Sequence, residues 1–404
     1  MRSSNDTVDA PVPVRQKQTA PAPTYADSEI AARFNPKVRP ALRRFIASSP
    51  RAVDLAHVFP GAAYVIASKG VAAPEIEKAK RLTLEGAPLR DVARTLGLPL
   101  WLRRLPPEAF RAALSPLPAS EMFTRRIANH LPVPAAESAF WLSSVGFAAK
   151  ACDEYFALWL AGQRIFMDQH RDPERLFAIL AAYAWFSGAE RTRGHNLIVT
   201  PWRPEMAFDT AVCAAKSWLN RVRLTLQLRE GVVTDAWLMP GEVHGLTFNP
   251  LLSAAEILAE ARAMQNCADQ YSDRIARDKC RLFSVRRRGI RVATLEIGPH
   301  AREPHMLAIN QLKARHNLPA AGEIWQTAHA WMATQPDLRR TPPLTVPDRP
   351  LNAAAWSALL QPYRTAKSGA RWLAAKPTAE AFEGLDRHMA DLARRGGVSS
   401  WLFT

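Results

Sequence analysis

The sequence lacks the features of a secreted or membrane-spanning chain. It has only four cysteines and no CxxC pair, and no run approaches the ~18 apolar residues that a membrane-spanning helix requires. The N-terminal stretch MRSSNDTVDAPVPVRQKQ contains no apolar leader segment. We therefore expect a cytoplasmic protein that keeps its cysteines as free thiols and has no membrane partner.

Signatures of the common nucleotide, zinc and hydrolase sites are absent as well. The chain contains no GxxxxGKS or GxxxxGKT loop, no GxGxxG turn, no HExxH and no GxSxG. Its ten histidines are scattered, without cysteine or carboxylate ligands at metal-binding spacing. We therefore expect neither a metal site nor a cofactor.

Acidic residues are the minority among the charged ones. Lysine and arginine together number 53 against 37 aspartates and glutamates, which gives a formal net charge of +16. Such a charge attracts polyanions, so nucleic acid, either DNA or RNA, is the expected partner. Arginine outnumbers lysine, which suits contact with phosphates but is equally the product of a GC-rich genome.

The chain is too long for one ordinary hydrophobic core. Its 48% hydrophobic and 22% charged residues are typical of globular proteins. We predict a disordered tail over residues 1–29, a helical N-terminal domain over 30–205, an α+β domain over 206–338, and a linker with C-terminal helices over 339–404. The helical regions are candidate binding surfaces for protein partners.

The period of the apolar residues changes near residue 220. In RVRLTLQLRE, apolar and polar residues alternate, which predicts a half-buried strand whose second face carries Arg221 and Arg223. A second strand is predicted over VVTDAWLM. Ser253 and Glu256 then form a capping-box pattern, which predicts the start of one long amphipathic helix over ILAEARAMQNCADQYSDRIAR.

Three more runs with strand patterns follow, CRLFSVR, RVATLEI and HMLAINQLKA, and then EIWQTAHAWMAT has a helical pattern. The links between these segments are short. This order predicts an α+β fold in which helices pack on one face of an antiparallel sheet.

Several short motifs occur together in this domain. The long helix carries MQNCADQY, the next strand carries FSVR, the strand after it carries ATLEI, and Gln311 and Asn317 follow. In this order and spacing they resemble the PcfJ-like family, which is named after a protein of a conjugative plasmid. The resemblance implies an association with plasmids, conjugation and other mobile elements, and it implies no established reaction.

Four residues of these motifs are candidates for a catalytic site: Cys267, Thr294, Glu296 and Gln311. Cys267 is either a buried small hydrophobe or a nucleophile, and a nucleophile requires an activating group such as a histidine nearby. Glu296 is either an acid or base, or one half of an ion pair with Arg281 or Arg286. We predict that the four side chains line one pocket if the protein is an enzyme.

A cluster of arginines marks the turn between the FSVR and ATLEI strands. It consists of Arg281, Arg286, Arg287, Arg288 and Arg291. We predict that this cluster contacts the phosphates of nucleic acid. Further predicted phosphate contacts are Arg221, Arg223, Lys313 and Arg315. The alternative is a solvated hairpin whose charges keep an edge strand soluble.

Three functions therefore stay open. The first is a basic, nucleic-acid-associated accessory protein of a plasmid or mobile element; the second is an enzyme of unknown reaction; the third is a scaffold for a protein partner. A helix-turn-helix-like segment, PLRDVARTLGLPLWLRRLPP, is another DNA-binding candidate. The prolines at its end favour a plain helical hairpin.

Overall fold

The computed structural model describes most of the chain, in five stretches: residues 25–68, 73–163, 173–228, 235–340 and 351–377. The predicted tail up to residue 24 and the predicted linker TPPLTVPDRP lie outside the described residues. The chain divides into two compact units, Met1–Ser143 and Ser144–Thr404. The second unit contains the sheet and several helices that precede it in the chain.

The first unit is helical. Its helices are α1 (Tyr25–Ala32), α2 (Arg39–Ile46), α3 (Pro50–Val58), α4 (Pro60–Ser68), α5 (Pro74–Glu85), α6 (Leu89–Thr95) and α7 (Glu121–Ile127). Three of them begin at a proline, which is tolerated in the first turn because the missing N–H has no partner there. After α6 and a left-handed Gly97, the helix-turn-helix-like segment continues as a short 3-10 helix, Leu100–Arg104, in which Trp101 and Leu102 are buried. It therefore presents no recognition helix.

Helices precede the sheet in the second unit as well. They are α8 (Ser138–Ala151), which crosses the boundary between the units, α9 (Glu154–Ala161), α10 (Pro173–Gly188), α11 (Arg193–Asn196) and α12 (Phe208–Gln227). The strand predicted over RVRLTLQLRE is wrong, because its residues 221–227 are the last part of α12. Val222, Leu224 and Leu226 are all buried, since α12 has helical neighbours on several sides. A helix surrounded in this way needs no single apolar face, so alternation is no guide to its structure.

The sheet has five antiparallel strands in the order in which they occur in the chain. They are β1 (Gly241–Val243), β2 (Leu246–Pro250), β3 (Arg281–Arg287), β4 (Ile290–Pro299) and β5 (Leu307–Lys313). The last three confirm the predicted strands. The first two form a hairpin that we did not predict, closed by the left-handed pair His244 and Gly245. The described part of VVTDAWLM, residues 235–239, forms no strand.

The helix predicted after the hairpin is broken into three parts. The capping box is confirmed, since Ser253 and Glu256 bond to each other's backbone at the start of α13 (Ala254–Met264). Gln265 then adopts a left-handed conformation, with φ of 50°, which ends the helix. A 3-10 turn, Ala268–Gln270, and the short α14 (Ser272–Ala276) complete the segment.

One face of the sheet is apolar and packs on α15 (Gly322–Ala333), the helix predicted from EIWQTAHAWMAT. Trp331 of this helix stacks on Phe248, with ring centroids 4.6 Å apart, and contacts Phe283 at 5.1 Å. The opposite face is covered by α13 and α14. Helices therefore lie on both faces, whereas the sequence predicted one, and the α+β fold class is confirmed.

Strand β5 contains a bulge that changes which side chains face the apolar layer. Glu296 pairs with Gln311, but the next residue, Ile297, pairs with Ile309. Asn310 is thus an extra residue in β5, and its side chain lies against the Cα of Gly298. As a result Ile309 packs in the apolar layer while Gln311, two residues on, lies with Glu296 on the opposite face.

The last described helix, α16 (Ala353–Ala366), packs on α10, α11 and α12. Its Tyr363 is fully buried and donates a hydrogen bond to the Ala151 carbonyl at 2.8 Å. Across the described stretches, no helix combines the length and apolar character needed to cross a bilayer.

Candidate functional site

A cleft opens on the second face of the sheet, where the turn between α13 and α14 meets β4 and β5. Its volume is about 290 Å³, including the part open to solvent. Four of the side chains that line it are the catalytic candidates Cys267, Thr294, Glu296 and Gln311. The others that carry polar groups are Asn266, Tyr271, Lys313 and Asn317. The sequence-predicted candidates therefore share one cleft.

A carboxylate and a phenol lie together in this cleft. Glu296, on β4, is only 2% exposed. One of its oxygens accepts a hydrogen bond from the Tyr271 hydroxyl at 3.0 Å, and the other is paired with the Arg274 guanidinium. The Tyr271 hydroxyl also lies 3.4 Å from Oε1 of Gln311 on β5. The prediction that a hairpin arginine pairs with Glu296 is wrong, because Arg274 of α14 is its partner.

Behind the cleft wall lies a second carboxylate, Glu260 of α13, which is 0% exposed. It accepts hydrogen bonds from Thr294 Oγ1 at 2.9 Å and from Arg291 Nε at 2.8 Å. Thr294 in turn accepts a bond from Asn266 Nδ2 at 2.8 Å, and Asn266 Oδ1 accepts one from the Ala268 N–H at 3.1 Å. These bonds satisfy the buried polar atoms and fix the side chains of Thr294 and Asn266.

Two turns with left-handed residues bound the mouth of the cleft. Gln265 precedes Asn266 and Cys267, and His316 and Asn317 follow β5 with φ near 60°. Across the mouth, Oδ1 of Asn317 accepts contacts from the backbone N–H of Cys267 at 3.4 Å and from its Sγ at 3.5 Å. Left-handed conformations cost free energy for residues other than glycine, and such conformations concentrate at functional sites.

The ionisation of the cleft residues limits the chemistry they can perform. Burial raises the pKa of the Cys267 thiol, so the thiol form dominates at neutral pH. Burial and the neighbouring charge of Glu296 raise the pKa of Tyr271, which keeps its phenol protonated. No histidine is among the described residues that line the cleft. Cys267 therefore lacks the activation that a nucleophilic thiol requires.

The chain matches no protein-family model, no curated protein and no solved structure. Within the described residues, no group of three or more histidine, cysteine, aspartate or glutamate side chains is placed to hold a metal ion.

Arg281, predicted to contact phosphates, is buried. Its side chain is 5% exposed, and its guanidinium pairs with Asp278 and lies 4.3 Å from the ring centroid of Trp237. The guanidinium of Arg340 lies 3.7 Å from the same ring and also pairs with Asp278, at 2.5 Å. This prediction has to be corrected, because the guanidinium of Arg281 holds two chain segments together and does not reach solvent.

Two more of the predicted phosphate contacts are held in ion pairs. Arg221 is 13% exposed and its Nε lies 2.8 Å from the buried carboxylate of Asp269. It belongs to α12 and not to a strand with a basic face. Arg291 is paired with Glu260 at 2.8 Å. Its charge is therefore balanced by a fully buried carboxylate although its side chain is 31% exposed, which corrects its assignment to an unpaired basic surface.

The remaining predicted contacts are exposed or half-buried. Arg287 and Arg288 are exposed and Arg286 is half-buried at the turn between β3 and β4, where Arg287 pairs with Glu323 at 2.7 Å. The other three are Arg223 of α12, Lys313 of the cleft, and Arg315 in the turn after β5. The predicted arginine cluster thus reduces to the three residues of one turn.

Sequence reasoning missed three residues as members of the site: Glu260, Arg274 and Tyr271, the last of which was noted only as part of the motif MQNCADQY. Glu260 carried a usable signal, since it lies three residues after Ile257 and four before Met264, on the buried side of α13. A carboxylate within an apolar helical face requires a partner. Arg274 carried no comparable signal, because its partner is 22 residues away on another element.

Proposed function

We propose that the α+β module is an enzyme whose active site is this cleft and whose reaction is proton transfer on a polar substrate. The observation that carries the proposal is the convergence of Cys267, Thr294, Glu296 and Gln311 in one cleft. These side chains come from a helix turn and two strands. The motifs that resemble the PcfJ-like family supply most of the cleft residues, which further supports a shared site.

Within this proposal Tyr271 and Glu296 form the proton path. Glu296 is buried behind the Tyr271 hydroxyl, so a substrate reaches the carboxylate through that hydroxyl. A proton leaving the substrate is taken up by the phenol oxygen as the phenol proton passes to Glu296, and it returns by the same path. Arg274 holds the carboxylate in position. Cys267 serves as a hydrogen-bonding wall of the cleft and not as a nucleophile.

The test compares two variants that each remove one hydroxyl group. Purified full-length protein is incubated with a bacterial small-molecule extract, and compounds consumed over time are followed by mass spectrometry. Tyr271→Phe keeps the ring but breaks the proton path, and we expect turnover to fall about 100-fold. Tyr155→Phe changes a tyrosine that is 50% exposed and outside the cleft, and it should retain full turnover. Unchanged turnover in Tyr271→Phe, or no consumption of any compound by the parent, would refute the proposal.

A second candidate function is nucleic-acid association through the turn between β3 and β4. The specific observation that favours it is the position of Arg286, Arg287 and Arg288 on one turn near the surface, in a chain of net charge +16. The ion pair of Arg287 with Glu323 is exposed and weak, so phosphate can compete for that guanidinium. Such a protein would act as an accessory factor of a plasmid or mobile element.

This candidate is tested by binding of labelled DNA and RNA across a salt series. Changing Arg286, Arg287 and Arg288 together to glutamate should abolish retention and flatten the salt dependence. The control makes the same charge change on the helical unit, at the exposed residues Lys37, Arg43 and Arg44. Equal losses in both triple variants would indicate attraction by net charge alone, and no loss in either would exclude this turn.

A further inference from the structure

We infer that the cleft binds a phosphate group, held at its mouth by the ammonium of Lys313 and the side-chain amide of Asn317. The inference rests on the proposed function, because it assigns a substrate class to the same cleft. Three features carry it: the hydrogen-bonding groups left without partners, the balance of charge, and the size of the space.

The carboxylates on the inner wall of the cleft are already engaged by donors of the protein itself. Both oxygens of Glu296 are engaged, and Glu260, Thr294 and Asn266 bond to one another. At the mouth, Asn317 must turn its oxygen towards the N–H of Cys267, since that N–H is a donor. The Nδ2 of Asn317 then points away as a donor with no partner among the described residues. A ligand at the mouth must therefore supply acceptors.

The charge of the cleft also favours an anion. Lys313 forms no ion pair with any described residue, and its positive charge acts on the Cys267 thiol beside it. The carboxylate of Glu296 is neutralised by Arg274, and the thiol and the phenol of the cleft are uncharged at neutral pH. One unbalanced positive charge remains, at the mouth. A lysine ammonium is a common point-charge partner of phosphate.

The volume of the cleft limits the size of the group that it can hold. The cleft is shallow: the space for the centre of a water-sized molecule is about 20 Å³, far below the roughly 300–1,000 Å³ of sites that enclose a drug-sized ligand. A phosphate group is therefore held at the open mouth, and the rest of a nucleotide would remain outside. The phosphate can therefore belong to a free phosphate, to a mononucleotide or to the end of a nucleic-acid strand.

The experiment measures binding directly and needs no turnover. Phosphorus NMR titrations of the full-length protein use inorganic phosphate and adenosine monophosphate. Fluorescence anisotropy uses a short oligonucleotide with a 5′-phosphate and the same oligonucleotide with a 5′-hydroxyl. Lys313→Met should weaken binding of every phosphate probe at least tenfold. Lys279→Met, at an exposed lysine outside the cleft, should change it less than twofold.

Asn317→Asp is the second variant, because it keeps the acceptor for Cys267 but replaces the free donor with negative charge. It should also weaken binding at least tenfold. A preference for the 5′-phosphorylated strand identifies a nucleic-acid end as the source, and tighter binding of the mononucleotide identifies a metabolite. The inference fails if no phosphate probe binds, or if Lys313→Met and Lys279→Met lose affinity equally. Turnover without phosphate binding would leave the proposed function standing, and phosphate binding without turnover would leave only this inference.

Discussion

The two faces of the sheet differ in the kind of side chain that they bury. Towards α15, the layer consists of apolar side chains such as Phe248, Phe283 and Trp331, and the buried indole N–H of Trp331 has no hydrogen-bond partner among the described residues. Towards α13 and α14, apolar side chains such as Leu282 and Ile275 pack beside Ser284, Thr294 and Glu296, which are buried but polar. A sheet needs only one good apolar layer for its stability. Buried polar groups add cost unless every one is bonded, so the polar part of the second face is expected to contribute less to stability than the apolar layer under α15.

The largest expected effect lies on the apolar face. Trp331→Ala removes a fully buried ring stacked on Phe248 and should lower the free energy of unfolding by about 3–5 kcal/mol. Chemical denaturation of the full-length protein measures this. Trp325→Ala, at a partly buried tryptophan on the edge of the same layer, should cost clearly less. A loss below about 1 kcal/mol for Trp331→Ala would contradict the assignment of the main core to this face.

A smaller effect is expected from the polar face. Glu260→Ala leaves Thr294 and Arg291 without their shared acceptor, and we expect a loss of about 2 kcal/mol in unfolding free energy. The double variant Glu260→Ala with Thr294→Val should lose less unfolding free energy than the two single variants lose in sum, since both side chains belong to one hydrogen-bond network. Glu242→Ala, at an exposed glutamate of β1, should stay within about 0.5 kcal/mol of the parent. Strict additivity would show that the network does not act as a unit.

The pH dependence of Cys267 alkylation tests how far burial suppresses the thiolate on the polar face. Burial raises its pKa, so the reactive thiolate should be scarcer in the folded protein than in the unfolded chain, whose thiols ionise near about pH 8.5. Alkylation by iodoacetamide at pH 8, resolved by peptide mass spectrometry, should be slower when folded and should still rise above pH 9. Lys313→Met should slow it again, because the lysine charge opposes the shift. Faster alkylation in the folded protein would instead support the hypothesis that Cys267 is a nucleophile.

The smallest effect on stability is expected at the turn between β3 and β4. Arg287→Ala breaks an ion pair with Glu323 in which both side chains are about half exposed or more. We expect a change of no more than about 0.5 kcal/mol, decreasing further in high salt. A salt titration of the denaturation midpoint gives the measurement. A loss above 1 kcal/mol would show that this pair fastens α15 to the sheet.

Local signals made part of this fold predictable. The capping box of α13, the strands β3 to β5 and helix α15 each follow from a pattern within a few residues. The residues of the cleft were also predictable as a set, because they lie in the same short motifs. What could not be predicted depends on neighbours distant in the chain: the helical state of α12, the partner of Glu296, and the burial of Arg281 against Trp237.

The bulge at Asn310 has a consequence for how related chains should be aligned. A strand normally tolerates no single-residue deletion, because every later side chain would change sides. Position 310 is the exception in β5, since its loss would restore a regular ladder and leave Gln311 opposite Glu296. Chains without this residue would lose the closest contact at position 298, although the Lys279 carbonyl would still lie 3.3 Å from a Cβ placed there. Gaps at 310 and a small side chain such as alanine at 298 should therefore occur together across relatives.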